Sequence, residues 1–294
     1  MNAIFVIKGR LGNAIFRYLG CTIFAIKYNL KYSPIGIRSF GVSITDDIFN
    51  QFIKFDKLNK YPPLYDNITD YKFDGYYQHD DIYKKYKTEI TEYINKYKNE
   101  HYVITDGINA GDGKYEKFYL KDIVNTPENF NKYYDFVLHI RLGDRVNNDL
   151  HSGTTLSIKG IKNLVKKISI PSNSCIVVNT PKSKYEKKFL SEVIEYINYT
   201  NKIEIKVESN DVITDFHIMK NSKTLVCSIS TLSWCAAYFS KKIQKCYMPD
   251  YPKRVNEFGY CKKPIDNTEL YDWHSETESK KARQMEYKMT ELKK

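Results

Sequence analysis

An α/β fold whose second half is a doubly wound parallel sheet is predicted by three features of the sequence. Short β-branched runs alternate with amphipathic helical stretches from "DFVLHI" to "KCYMP". A glycine-bearing turn, "KGRLGN", joins the first strand to the first helix. The 294 residues are long for one core and comfortable for two domains. The expected division is 1–130, 131–264, and a charged helical tail over 265–294.

The elements follow in order. "AIFVI" is β-branched and aromatic, the mark of a buried strand. After the glycine turn, Ile15, Leu19, Ile23 and Ile26 recur at helical spacing. Residues 30–130 mix turn signals with many tyrosines; within them "YKKYKTEITEYINKYKNEH" predicts a helix and "HYVIT" a strand. In the second half "DFVLHI", "SCIVVNT", "KIEIKV" and "KTLVCSI" predict strands. The helices predicted between and after them are "LSIKGIKNLVKKIS", "KSKYEKKFLSEVIEYIN", "VITDFHIMKNS" and "TLSWCAAYFSKK".

Composition narrows the function classes. Hydrophobic residues at 42% supply a core, and the chain has no low-complexity run, so global disorder is excluded. The net charge of +11 favours anionic partners. That charge is mostly lysine dispersed among tyrosine and asparagine, without a nucleic-acid motif or an arginine-rich patch, and is read as solvated surface. The six cysteines form no CxxC pair and no metal-ligand spacing with histidine, which predicts buried free thiols and a reducing compartment. No stretch approaches the roughly 20 apolar residues of a membrane span. The opening apolar run is too short for a signal-peptide core. A soluble cytoplasmic protein is the expectation. The aspartate pairs in "TDDI" (45–48) and "HDDI" (79–82) are read as surface features, and no metal site is predicted.

Three stretches carry candidate chemistry. In "GRLGN" (9–13) glycines let the backbone approach a ligand beside a helix start, with Gly12 and Asn13 on the turn. In "VLHIRLGDRV" (137–146) a strand runs into His139, Arg141 and Asp144; ligands of open α/β sheets bind at that end of the strands, where an arginine can clamp a diphosphate. In "TLVCSISTLSWCAAYFS" (224–240) the hydroxyls of Ser228, Ser230, Thr231 and Ser233 gather at a helix start, where free N–H groups attract an anion. Taken singly, each also reads as an ordinary turn, ion pair or helix cap.

Together these stretches resemble the α-1,2-fucosyltransferase family, within the wider fucosyltransferase superfamily. "GRLGNAIFRYLG" resembles that family's "GGLGNQ-F-QYA", "GYYQHDDIY" its "GYFQ" segment, and "HIRLGDRV" its "H-x-R-R-G-D-Y" motif. "DFHIMKNSKTLVCSISTLSWCAAYF" is similar to "DF-LM---C-H-I-SNSTFSWWAA-L". The resemblance implies two Rossmann-like domains with a cleft between them (the GT-B arrangement), the first on the acceptor side and the second holding the donor. It implies an inverting, metal-independent transferase that moves L-fucose from GDP-fucose to a glycan hydroxyl, with no prosthetic group. By the resemblance Arg141 and Asp144 are the catalytic motif residues. Gly12, Asn13, His139, Ser230, Thr231 and Ser233 contact or shape the donor site. Asp74, His79, Asp80 and Asp81 are open as bases for the acceptor hydroxyl. The absence of an anchor suggests a bacterial or viral enzyme.

The chain departs from the pattern at Leu142 (arginine in the family), Ile229 (asparagine), Cys235 (tryptophan) and Ala14 (glutamine). Asn179, Thr180 and Pro181 replace an acidic segment. Two alternatives stay open: the same fold with another nucleotide deoxysugar, or a non-catalytic protein binding an anionic glycan or nucleic acid.

Overall fold

A computed structural model of the chain describes residues 2–5, 9–29, 31–33, 42–45, 70–73, 75, 77–78, 80–106, 115–143, 157–250 and 262–272. These form two compact units, one up to Phe130 and one from Asn131 onward.

In the first unit β1 (Asn2–Phe5), β2 (Lys31–Ser33), β3 (Val42–Ile44) and β4 (Asp70–Phe73) form a parallel sheet in the order β2-β1-β4-β3. Helix α1 (Leu11–Tyr28) packs on β1 and is buried from Leu11 to Ala25 except at Asn13. It ends at Asn29, whose left-handed backbone (φ 51°) lets its N–H reach the Ala25 carbonyl. The helix predicted after "GYYQ" is two helices, α2 (Asp80–Lys85) and α3 (Lys87–Tyr97). Strands β5 (Tyr102–Asp106) and β6 (Tyr115–Tyr119) pair antiparallel, followed by the short α4 (Leu120–Val124).

The second unit is a six-stranded parallel sheet. Its strands are β7 (Phe136–Ile140), β8 (Ser174–Val178), β9 (Lys206–Glu208), β10 (Thr224–Val226), β11 (Lys245–Asp250) and β12 (Thr268–Asp272). They lie in the order β12-β11-β10-β7-β8-β9. Counted from β7, this is the 3-2-1-4-5-6 order of doubly wound sheets, with the chain starting in the middle and returning to it. All five residues of β7 and of β8 are buried, as strands covered on both faces require. Helix α5 (Ile158–Val165) packs beside α6 (Lys184–Asn201), and α7 (Val212–Lys220) beside α8 (Thr231–Phe239). The predicted strands and helices of this half are all present. The sequence reading placed residues 268–272 in a helical tail. They form β12, in parallel register with β11 from Cys246↔Thr268 to Asp250↔Asp272. "TELYD" is an edge strand with two acids and no aliphatic run, which hides it from a hydrophobicity pattern.

The packing of "GYYQ" on α1 explains one glycine. A Cβ on Gly20 would lie 2.7–2.9 Å from Cδ2, Cγ and Cβ of Tyr77. That ring cannot swing away. It is fully buried, its hydroxyl takes a hydrogen bond from the Gly75 N–H, and its backbone sits at φ 50°. Arg17, also buried, donates through Nε to the Gly75 carbonyl at 2.8 Å. Gly20→Ala should therefore destabilise the fold by about 1–3 kcal/mol, although alanine is the better helix former. Urea denaturation measures this; a gain in stability would show that Tyr77 yields.

Candidate functional site

The order of the second sheet creates a crevice at one place. The chain leaves β7 toward β8 on one side and later enters β10 on the other. The connections after β7 and β10 therefore diverge, and a gap opens outside the carboxyl ends of these two strands. Two of the candidate stretches of the sequence emerge there. β7 runs from Phe136, paired with Thr224, to Ile140, and β10 continues from Val226 into Cys227 and Ser228.

A hydrogen bond of 2.8 Å between Ser228 Oγ and His139 Nδ1 joins the two strand ends. Both side chains are buried. Burial, with the nearby Arg141 charge as a second cause, lowers the His139 pKa to about 3. The imidazole is therefore neutral at physiological pH and acts here as a hydrogen-bonding group, not a cation. Arg141 follows two residues later, half-buried, just past the strand. Leu142 and Gly143 turn the chain, with Gly143 at φ 73°.

Helix α8 starts at the other lip. Ser230 is its N-cap, and its Oγ accepts from the Leu232 N–H at 3.3 Å. Thr231 is half-buried in the first turn. Ser233 is fully buried and donates through Oγ to the Ser230 carbonyl at 3.1 Å, so its hydroxyl serves the helix start itself. Thus His139 and Arg141 lie at the end of β7, Ser230 and Thr231 follow the end of β10, and Ser233 bonds the Ser230 carbonyl. Asp144 lies outside the described residues.

Two further residues reach this site, one of them, Asn179, in the segment that resembles an acidic family segment. Asn179, directly after β8, accepts the Leu142 N–H through Oδ1 at 3.2 Å. Glu186, in the first turn of α6, accepts the Gly143 N–H through Oε1 at 2.8 Å. The capping box that holds Glu186, "SKYE" over 183–186, is legible in the sequence; its reach to Gly143 is not.

Four residues at which the chain departs from the motifs it resembles occupy buried positions, whereas Asn179 and Thr180 are exposed. Ala14, Leu142, Ile229 and Cys235 are each at most 1% exposed. Their side chains fill the core behind the site, so apolar residues are compatible with these positions.

In the first unit, Gly12 is buried and Asn13 half-buried in the first turn of α1. Gly9 has φ 84°, and a Cβ there would meet Asn13 Nδ2 at 2.9 Å, so the turn is closed by this pair. The sequence order singled out no residue of β5. Yet β5 ends on buried Asp106, whose N–H donates to the Gly9 carbonyl at 3.0 Å, setting a carboxylate beside the glycine turn. Asp80 is half-buried and Asp81 exposed at the start of α2. Asp74 and His79 lie outside the described residues.

Among the described residues no three His, Cys, Asp or Glu side chains come together as a metal site. The five described cysteines are buried free thiols. No described helix is long and apolar enough to cross a membrane.

No protein-family model matches the chain, and no curated protein matches its sequence. Among solved structures, an Arabidopsis thaliana FUT1 mutant in complex with GDP matches with a TM-score of 0.41 and 8% identity, over 80% of this chain and 68% of that one. POFUT1 in complex with GDP-fucose matches with a TM-score of 0.42 and 12% identity, over 83% of this chain and 96% of that one. Escherichia coli heptosyltransferase WaaC with ADP matches with a TM-score of 0.42 and 10% identity, over 99% of each chain. All three are glycosyltransferases. Likeness at this level fixes neither donor nor linkage for the present chain.

The neutral state of His139 has a consequence for stability. Its folded pKa of about 3 lies below the ordinary 6.5, so between these values the unfolded chain binds more protons than the folded one. Stability therefore rises with pH across that window and is lost as pH falls from the ordinary value toward the folded one. His139→Asn keeps an amide able to bond Ser228 and cannot titrate. It should flatten the fall in unfolding free energy between about pH 7 and about pH 5, measured by urea denaturation. An unchanged slope would mean that His139 already titrates normally.

Proposed function

We propose that the chain is a glycosyltransferase that moves L-fucose from GDP-fucose to a glycan hydroxyl, with inversion, α-1,2 linkage and no metal. The second unit takes the donor and the first the acceptor. One observation supports the reading: the His139–Ser228 bond ties together the carboxyl ends of β7 and β10, from which Arg141 and the hydroxyl-bearing start of α8 follow directly in the chain. A cation, hydroxyls and helix-end N–H groups in one place suit a diphosphate.

The chemistry follows from that arrangement. An acceptor oxygen attacks the anomeric carbon, the bond from that carbon to the diphosphate oxygen breaks, and its electron pair leaves with the diphosphate. Charge develops on the leaving oxygen, where Arg141 and the α8 start lower its energy. Neutral His139 sets the strand ends and adds no charge. The acceptor proton goes to the departing diphosphate or to a carboxylate of the first unit, where Asp80, Asp81 and Asp106 are available.

Two measurements test this. GDP should raise the melting temperature, and GDP-fucose should slowly release GDP even without an acceptor. Arg141→Ala should lower transfer by about 10²–10³-fold with an unchanged melting temperature. Stabilisation by another nucleotide would redirect the donor. No nucleotide effect, together with salt-sensitive binding of nucleic acid, would overturn the assignment.

A further inference from the structure

We propose that Asn179 and Glu186 are positioning residues for Arg141, acting by holding the main chain of the Arg141–Gly143 turn. Its catalytic consequence rests on the transferase reading above; its structural core does not. Past Ile140 the strand ladder ends, and the chain turns through Leu142 and Gly143, the latter with a left-handed backbone. Main-chain N–H groups in a part-buried turn need other acceptors. Leu142 N–H finds Asn179 Oδ1, and Gly143 N–H finds Glu186 Oε1.

The bonding of Glu186 exceeds what a helix cap requires. Its Oε2 takes the Lys182 N–H at 2.6 Å and the Ser183 N–H at 2.9 Å, while Ser183 Oγ takes the Glu186 N–H at 3.1 Å. That completes the capping box with one carboxylate oxygen. Oε1 is left for Gly143, 43 residues earlier in the chain. The carboxylate is buried and is held by three main-chain donors, so it is fixed in place. Asn179 makes the second tie from an exposed position, where no core packing demands an asparagine.

Arg141 thus stands between two anchored points. His139 is tied to Ser228 before it, and Leu142 and Gly143 are tied to Asn179, directly after β8, and to α6 after it. An arginine head on a long stem loses less freedom on meeting an anion when its own backbone is already fixed. Because its effect is strongest on charge formed during bond breaking, loosening the turn should lower kcat more than it raises the nucleotide-sugar KM.

The test uses full-length Asn179→Ala and Asn179→Asp, with GDP-fucose as the probe. Asn179→Ala should speed exchange of the Leu142 amide by about tenfold and lower kcat by about tenfold, with KM within about twofold and an unchanged melting temperature. Asn179→Asp keeps an accepting oxygen and should restore both the exchange protection and most of kcat. Glu186→Gln, which turns one accepting atom into a donor, should expose the Gly143 amide in the same way. Wild-type exchange in Asn179→Ala, or equal damage in the alanine and aspartate variants, overturns the proposal. If the wild type releases no GDP, the transferase reading falls, and the exchange of Leu142 and Gly143 still decides whether the clamp exists.

Discussion

The bond between His139 and Ser228 is the point on which the second unit's site depends. A histidine in the middle of a buried strand is costly unless its ring nitrogens are satisfied. Here Nδ1 bonds a serine hydroxyl two residues past the neighbouring strand, so the polar group becomes a cross-link between the two strand ends. A neutral hydrogen bond of this kind contributes only about 1 kcal/mol net, but leaving the histidine unpaired would cost about 1–3 kcal/mol. The asymmetry matters more than the gain: any arrangement that separates the ends of β7 and β10 strands a buried polar group. The chain starts its sheet in the middle, so the connections that leave these two paired strands diverge. The His139–Ser228 bond joins the chain where that divergence begins.

Much of this architecture was legible in the sequence because parallel strands buried on both faces must be apolar along their length. "FVLHI" and "SCIVV" could hardly be anything else. Legibility fails where a strand is short or lies at an edge. "KYS", "VSI" and "DYKF" of the first sheet, and "TELYD" of the second, are three to five residues long and carry no aliphatic run. Their assignment comes from a partner strand, and no local pattern contains the partner. The Gly20–Tyr77 approach has the same character: the glycine is visible, but the ring that demands it is 57 positions away in sequence.

The candidate site divides along the same line. Arg141 and Ser230 could be named because each sits at a strand-to-helix junction, a local feature. Ser233 belongs to the same run of hydroxyls, yet its own helix uses it, since a serine at the third position of the first turn reaches back to the cap carbonyl. Asn179 lies in a segment the sequence singled out, but its contact and that of Glu186 could not be read from sequence. Each acts through a main-chain amide on another element, and an amide has no letter in the sequence.

The charge at the site follows from burial. Arg141 is followed by buried Leu142, and the histidine two residues before Arg141 is held neutral. A second cation at either place would have to be taken out of water close to Arg141, and both desolvation and like-charge repulsion oppose that. One guanidinium with oriented neutral donors avoids that cost. It also puts weight on the position of that guanidinium. A turn tied by Asn179 on one side and Glu186 on the other holds the Arg141 main chain in place.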